Sequence, residues 1–387
     1  MNRKKYENVT FIRVYFHTLL GILLFFLAAF MLVLNLKIDS IGITKALDGI
    51  GSRDVFTYFF KSENQYYFPE YKSDLFSASH LSNLTIHLAT NIKPTDSRSF
   101  LGNELPGFSE YDTEIAVAGE GTNMSNIPDE SAPPPEAMLH EKQVAEDKLK
   151  KDKQNTAVKV NPKNIPKVPS VFIYHTHSWE AFAPYLQNAS QTTATSSDKR
   201  VNVIGLGEWL TNDLLNKGIG VKHDETNMTN ELKKRDMLWN KAYTASGSIV
   251  EAAASAQKSL HYFIDIHRDS AKGDMTTKTI NGKKYARLYF VIGKENPNYQ
   301  ENLDFAKQLN SELEKQHPGI SRGIFLKTKR NGNGIYNQEV SNKAILIEVG
   351  GVDNHIDELN RTIDAFSEVF SDYYWKHQNA KEVNGNG

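Results

Sequence analysis

The chain has 387 residues, 24% charged and 40% hydrophobic, with a formal net charge of -1, an ordinary globular composition with room for more than one domain. A balance so near neutral argues against a general nucleic-acid binder. The lack of any cysteine excludes disulfides and thiolate metal sites and leaves His, Asp and Glu as the strong ligands.

From Thr18 to Leu36 the chain reads TLLGILLFFLAAFMLVLNL with no charge. As a helix this stretch spans about 28 Å, close to the roughly 30 Å hydrocarbon core of a bilayer. Arg3, Lys4, Lys5 and Arg13 precede it against the single acid Glu7. The positive-inside rule therefore predicts a cytoplasmic N-terminus (1–17), a single-pass anchor (18–36) and an extracytoplasmic body. The alternative is a cleaved signal peptide, against which stand the length of the apolar run and the lack of a small-residue cleavage site.

Residues 37–105 carry many aromatics, as in DVFTYFF and NQYYFPEY, and read either as a small packed module or as a partner-binding surface. From 106 to 169 the composition turns to Pro, Glu, Lys, Ser and Asn. That predicts a disordered tether, with a short charged helix near Met138 to Lys153. The body, 170–378, alternates apolar runs with helical periodicity and predicts an α/β domain; 379–387 reads as a disordered tail. Within the body VFIYH is the first strand, and Val203 to Gly218 is a helix with Gly218 at its C-terminal cap. HYFIDIH is a second buried strand after an Ala-rich helix, and Asn281-Gly282 marks a hairpin. An amphipathic helix follows in NPNYQENLDFAKQLNSELEKQ, then a third buried strand, AILIEVGG, and a last helix from about Ile356 to Trp375.

Three strands end in reactive residues: HTHSWE after VFIY, HRDS after FIDI, and EVGG after AILI. Sites in open α/β sheets form at the carboxyl ends of strands, so these tips are expected to converge. His177 and Glu180 lie three residues apart, one turn if the chain bends after Thr176, and form the better chelating pair. His267 would complete a His2Glu set of the kind catalytic zinc uses, with His175 as an alternative ligand or a residue behind the ligands. Glu348, a lone carboxylate among aliphatics, suits proton transfer, because desolvation disfavours its charged form. Its competing reading is a structural pair with Arg268 or Lys343. Asp265 suits orientation of a ligand histidine. Arg268 is a candidate catalytic residue that would hold a substrate carboxylate or carbonyl, and Asp269 suits contact with substrate; both could equally form a plain salt bridge. Asn337, in the GNGIYNQE loop, is assigned to substrate contact. The motifs H-x-H-x-D-H and H-E-x-x-H are both absent, so neither a metallo-β-lactamase nor a helix-borne metalloprotease is supported.

With YHTHSWEAF, DIHRDS and ILIEVGGVDN in view, the chain resembles the stage II sporulation protein P family of endospore-forming bacteria, from Tyr174 to Asn354. That resemblance implies a sheet flanked by helices, similar to the zinc N-acetylmuramoyl-L-alanine amidases. It implies hydrolysis of septal peptidoglycan during engulfment in sporulation, at the muramoyl-alanine amide and at the peptide cross-link. It also implies company with stage II sporulation proteins D and M at the membrane. Carried over by motif, His177, Glu180 and His267 would bind zinc and Glu348 would be catalytic. In the wider amidase pattern the first ligand sits in a Gly-rich turn, whereas here it sits in HTH. The competing expectations are a non-enzymatic wall-binding scaffold and a zinc hydrolase restricted to the cross-link.

Overall fold

The computed structural model describes residues 113–128, 141–152, 166–190 and 194–385. The expected anchor at 18–36 and the stretch 37–105 lie outside the described residues. Among those described, no helix is long and apolar enough to cross a membrane.

The strands in chain order are β1 (Glu114–Ala118), β2 (Val171–Tyr174), β3 (Val221–His223), β4 (Tyr262–Asp269), β5 (Thr277–Ile280), β6 (Lys283–Ala286), β7 (Leu288–Gly293), β8 (Ser321–Lys327) and β9 (Ala344–Gly351). All but β5 and β6 join one seven-stranded mixed sheet in the order β1-β8-β7-β9-β4-β2-β3. The strands β9, β4, β2 and β3 run parallel, while β7 lies antiparallel to β9. The carboxyl ends of β2, β4 and β9 therefore share one edge of the domain, and their pairing places Tyr174 beside Asp265 and His267 beside Glu348. Every residue of these three strands is buried, which is why they read in sequence as continuous apolar runs rather than alternating ones.

Alternation still sorts the strand residues by face. Val171, Ile173, Ile264, Ile266, Ile345, Ile347 and Val349 pack with α2 (Val203–Asn216), α5 (Tyr299–Gln316) and α6 (Ile356–Gly385). Phe172, Tyr174, Phe263 and Ala344 pack on the opposite face against Val250 and Ala253 of α4 (Ala242–Ala256). On that same side α3 (Met228–Lys234) and α4 enclose Trp179. Asp265, His267 and Glu348 share the parity of Phe263 and Ala344, and so belong to the α4 face.

The hairpin expected at Asn281-Gly282 is present as β5 and β6. Both turn residues have positive φ, 49° and 76°, the backbone that a two-residue primed turn requires. Two stretches differ from expectation. Part of 106–169 is ordered: β1 pairs antiparallel with β8, while α1 (Glu146–Asp152), which buries Leu149, falls within the charged helix expected near Met138 to Lys153. β1 carries too little apolar surface to announce itself because it is held by pairing, and α1 is held by one leucine and by backbone bonds from Lys142 and Ala145 to Thr195 and Tyr185. At the other end the last helix runs on to Gly385, through most of the expected tail.

At the β1–β8 join, Gly323 has φ +113° and a Cβ there would lie 2.0 Å from the Val117 carbonyl oxygen. Gly323→Ala is therefore expected to push β1 off the edge and cost at least about 1 kcal/mol. Limited proteolysis should then cut within 114–128 faster than in the parent protein; equal cutting rates would contradict this account of the join.

Candidate metal centre

After β2 the chain turns at once, with the Glu180 amide donating to the His177 carbonyl at 3.0 Å. That turn is what brings the two side chains together. His177 Nδ1 lies 3.1 Å from Glu180 Oε1, and His267 Nδ1 lies 3.5 Å from Glu180 Oε2. The histidine rings sit 4.7 Å apart at 72°. One donor atom from each of His177, Glu180 and His267 falls within 4.8 Å of the others, so the predicted His2Glu set is assembled from two strand tips.

The tip of β4 is braced from behind. Asp265, 0% exposed, faces His267 Nε2 at 3.1 Å and accepts from the Thr176 amide at 2.9 Å and the Thr176 hydroxyl at 2.6 Å. Thr176 in turn shares a 2.8 Å hydrogen bond with Ser246 of α4. With Nε2 on the Asp265 side at ion-pair distance but outside hydrogen-bond geometry, His267 presents Nδ1 to the cluster, a carboxylate–imidazole arrangement of the kind that orients a metal-bound histidine. The backbone amide of Arg268 holds Glu180 Oε2 at 2.8 Å. Two imidazole nitrogens and a carboxylate, without sulfur, suit zinc and leave room for a fourth, non-protein ligand.

The charge state follows from the same contacts. Burial raises the cost of charge on Glu180, but the His267 and His177 imidazoles hold its carboxyl well below the usual carboxylate range. Burial also works against a charged His267, yet Asp265 and Glu180 override it and push its pKa well above the ordinary histidine value. In the metal-free protein His267 thus keeps a proton at neutral pH that must leave when a metal binds, whereas Glu180 is already ionised. Metal affinity should therefore rise as pH rises toward the elevated His267 pKa, with proton release on binding. Titration calorimetry in buffers of different ionisation enthalpy checks this, and a pH-independent affinity without proton release would contradict it.

His175 is not part of the cluster. It lies on the α2 face, where its Nδ1 meets the Ile266 carbonyl at 3.2 Å and its Nε2 meets His223 Nε2 at 2.8 Å. Burial and the neighbouring His223 push its pKa well below the ordinary value. Of the two readings left open for it, that of a residue behind the ligands matches this position.

Glu348 lies beside His267 across the β4–β9 ladder, 7% exposed. Asn337 reaches Ser246 with its amide at 2.9 Å and so joins the Thr176–Asp265 network. Arg268 directs its guanidinium Nη1 to the Asp269 carbonyl at 2.9 Å. The Asp269 carboxylate accepts from Arg322 and from the Ala271 amide, the salt-bridge alternative of its two readings. Arg322, on β8, also donates to the Asn126 carbonyl at 3.1 Å, tying the β1 segment to the end of β4.

Two aromatic neighbours carried no signal in the sequence. Tyr243, in the first turn of α4, stands 5.3 Å from the His177 ring and lies parallel to His267 at 6.3 Å. Trp179 stacks on His177 at 4.9 Å. Each is an ordinary aromatic in an amphipathic stretch, and only the packing of α4 on the sheet gives it a place.

A family model described as stage II sporulation protein P matches residues 95–371, a range that takes in β1 and the whole cluster. Stage II sporulation protein P of Bacillus subtilis (strain 168) is 40% identical over 347 residues, covering 89% of this chain and 85% of that protein.

Proposed function

Because the chain belongs to the stage II sporulation protein P family, which places it in sporulation, we propose that it is a zinc-dependent peptidoglycan hydrolase that degrades septal wall during engulfment. The bond cut is the amide between the muramic acid lactyl group and L-alanine, and the same machinery serves the amide of the peptide cross-link. The observation that carries this reading is the convergence of His177, Glu180 and His267 donors within 4.8 Å, with Glu348 on the adjoining strand.

The chemistry that zinc supplies in a His2Glu site is Lewis acidity, which lowers the pKa of a ligated water from 15.7 toward about 7. Glu348 then acts as the base. Its carboxylate takes the proton of the attacking water, the carbonyl carbon gains the oxygen, the C–N bond breaks, and the proton passes to the departing alanine nitrogen. Asp265 keeps His267 in one orientation, and the Arg268 amide fixes Glu180. Tyr243 and Trp179 wall the cluster on the α4 side and keep bulk water from the imidazoles.

A single-pass anchor at 18–36 would hold this domain outside the membrane, close to a wall it must follow, and stage II sporulation proteins D and M are the expected companions. Mass analysis of fragments released from purified wall by the full-length chain tests the reading. Soluble stem peptides with a free L-alanine amine are expected. Release of cross-link products alone would restrict the protein to endopeptidase action, and no release would leave a wall-binding scaffold.

A further inference from the structure

Next to the metal centre the molecule exposes an apolar pair with no structural use for it. Leu238 is 72% exposed and Trp239 36%. Both follow the end of α3, where Asp236 takes φ 53° and the Met237 amide returns to the Leu232 carbonyl at 2.9 Å. That is the hydrogen bond of a Schellman cap, and it turns Met237 inward against the cluster of Trp179, Met228 and Leu232 while the next two residues are left outside. The Lys241 amide then closes a tight turn onto the Leu238 carbonyl at 2.9 Å. The pair is thus presented by a fixed turn rather than by a loose loop.

Its placement relates it to the metal centre by two routes. Trp239 precedes Tyr243 by four residues along a path that is helical from Trp239 through α4. That path changes from a 3-10 turn to an α-helix at Lys241, and the Tyr243 ring stands 5.3 Å from that of His177 and 6.3 Å from that of His267. By the other route, Met237 packs against the apolar cluster that contains Trp179, and Trp179 stacks on His177. A ligand covering Trp239 is therefore continuous with one seated at the cluster. Around the pair stand the exposed Lys233, Lys234 and Lys241, which make no ion pair among the described residues. Exposed apolar surface rimmed by charge marks a binding groove more often than an accident of packing.

We propose that Leu238, Trp239, Lys233, Lys234 and Lys241 form a subsite for the peptidoglycan strand next to the bond being cut, an inference that rests on the hydrolase reading above. The indole takes the apolar face of a sugar ring, as flat aromatic surfaces do with ligands that are apolar on one side and polar at the edge. The lysines face the carboxylates of the acidic stem peptides. Continuity with the cluster favours this occupant over a lipid surface, because one extended molecule fills both places whereas a bilayer lying on Trp239 would cover the mouth.

The test compares the full-length chain with Trp239→Ala, Leu238→Ser and the conservative Trp239→Phe, measuring zinc content and the KM and kcat for release of soluble fragments from purified wall. Trp239→Ala should keep its zinc and raise KM by about tenfold, the loss of one aromatic anchor, with the change concentrated in KM rather than kcat. Trp239→Phe should recover most of that. An unchanged KM in a protein that digests wall overturns the subsite and leaves the hydrolase reading standing. A parent chain with zinc but no action on wall overturns both. Loss of zinc, or a fall in kcat at constant KM, would make Trp239 a packing residue.

Discussion

Glu348→Ala is expected to keep its zinc and lose about 10²- to 10⁴-fold in kcat on purified wall, the range that a positioned general acid–base group supplies. The reason is positional. Glu348 sits on β9 with its Cα paired to that of His267 on β4, and both side chains emerge on the α4 face. It stands outside the group of donors that gather within 4.8 Å, so removing it leaves the ligand set whole. Glu348→Gln keeps the volume and removes only the ability to take a proton, and it should be nearly as inactive. Metal analysis alongside initial rates separates the outcomes. A variant that digests wall at the parental rate would remove Glu348 from the chemistry, and one that loses its zinc would make it a ligand.

His267→Ala should lose metal, activity and stability together. The imidazole is 1% exposed and bridges Asp265 and Glu180. Its removal leaves both carboxylates without their shared partner, although Asp265 keeps its two bonds from Thr176. Breaking a buried pair from one side costs about 3 kcal/mol or more, to be read as a lower denaturation midpoint of the metal-free protein. His177→Ala removes a more exposed imidazole and should lose zinc with a smaller loss of stability. Equal midpoints for the two variants would show that Asp265 does not depend on His267.

The sequence made the parallel centre of the sheet legible because its strands are buried on both faces and end in His or Glu. The pairing of His177 with Glu180 was legible because a three-residue spacing becomes a contact once the chain turns. The side of the sheet taken by His175 was not, since in a straight strand His175 and His177 point the same way, and only the turn after β2 sends them to opposite faces. The strand β1 was hidden for another reason: an edge strand draws its stability from the strand it docks on, β8, which lies far along the chain, whereas α1 falls inside the charged helix expected near Met138 to Lys153. Tyr243 and Arg322 belong to the same class, since nothing local in either stretch points to the site.

The most direct measurement is a zinc-edge X-ray absorption spectrum of the full-length chain loaded with one equivalent of zinc, compared with His267→Ala. The account predicts stoichiometric zinc with nitrogen and oxygen neighbours at about 2.0–2.2 Å, imidazole scattering beyond them, and loss of the bound ion in the variant. A spectrum that is the same in both proteins, or a parent chain that retains no zinc, would contradict it.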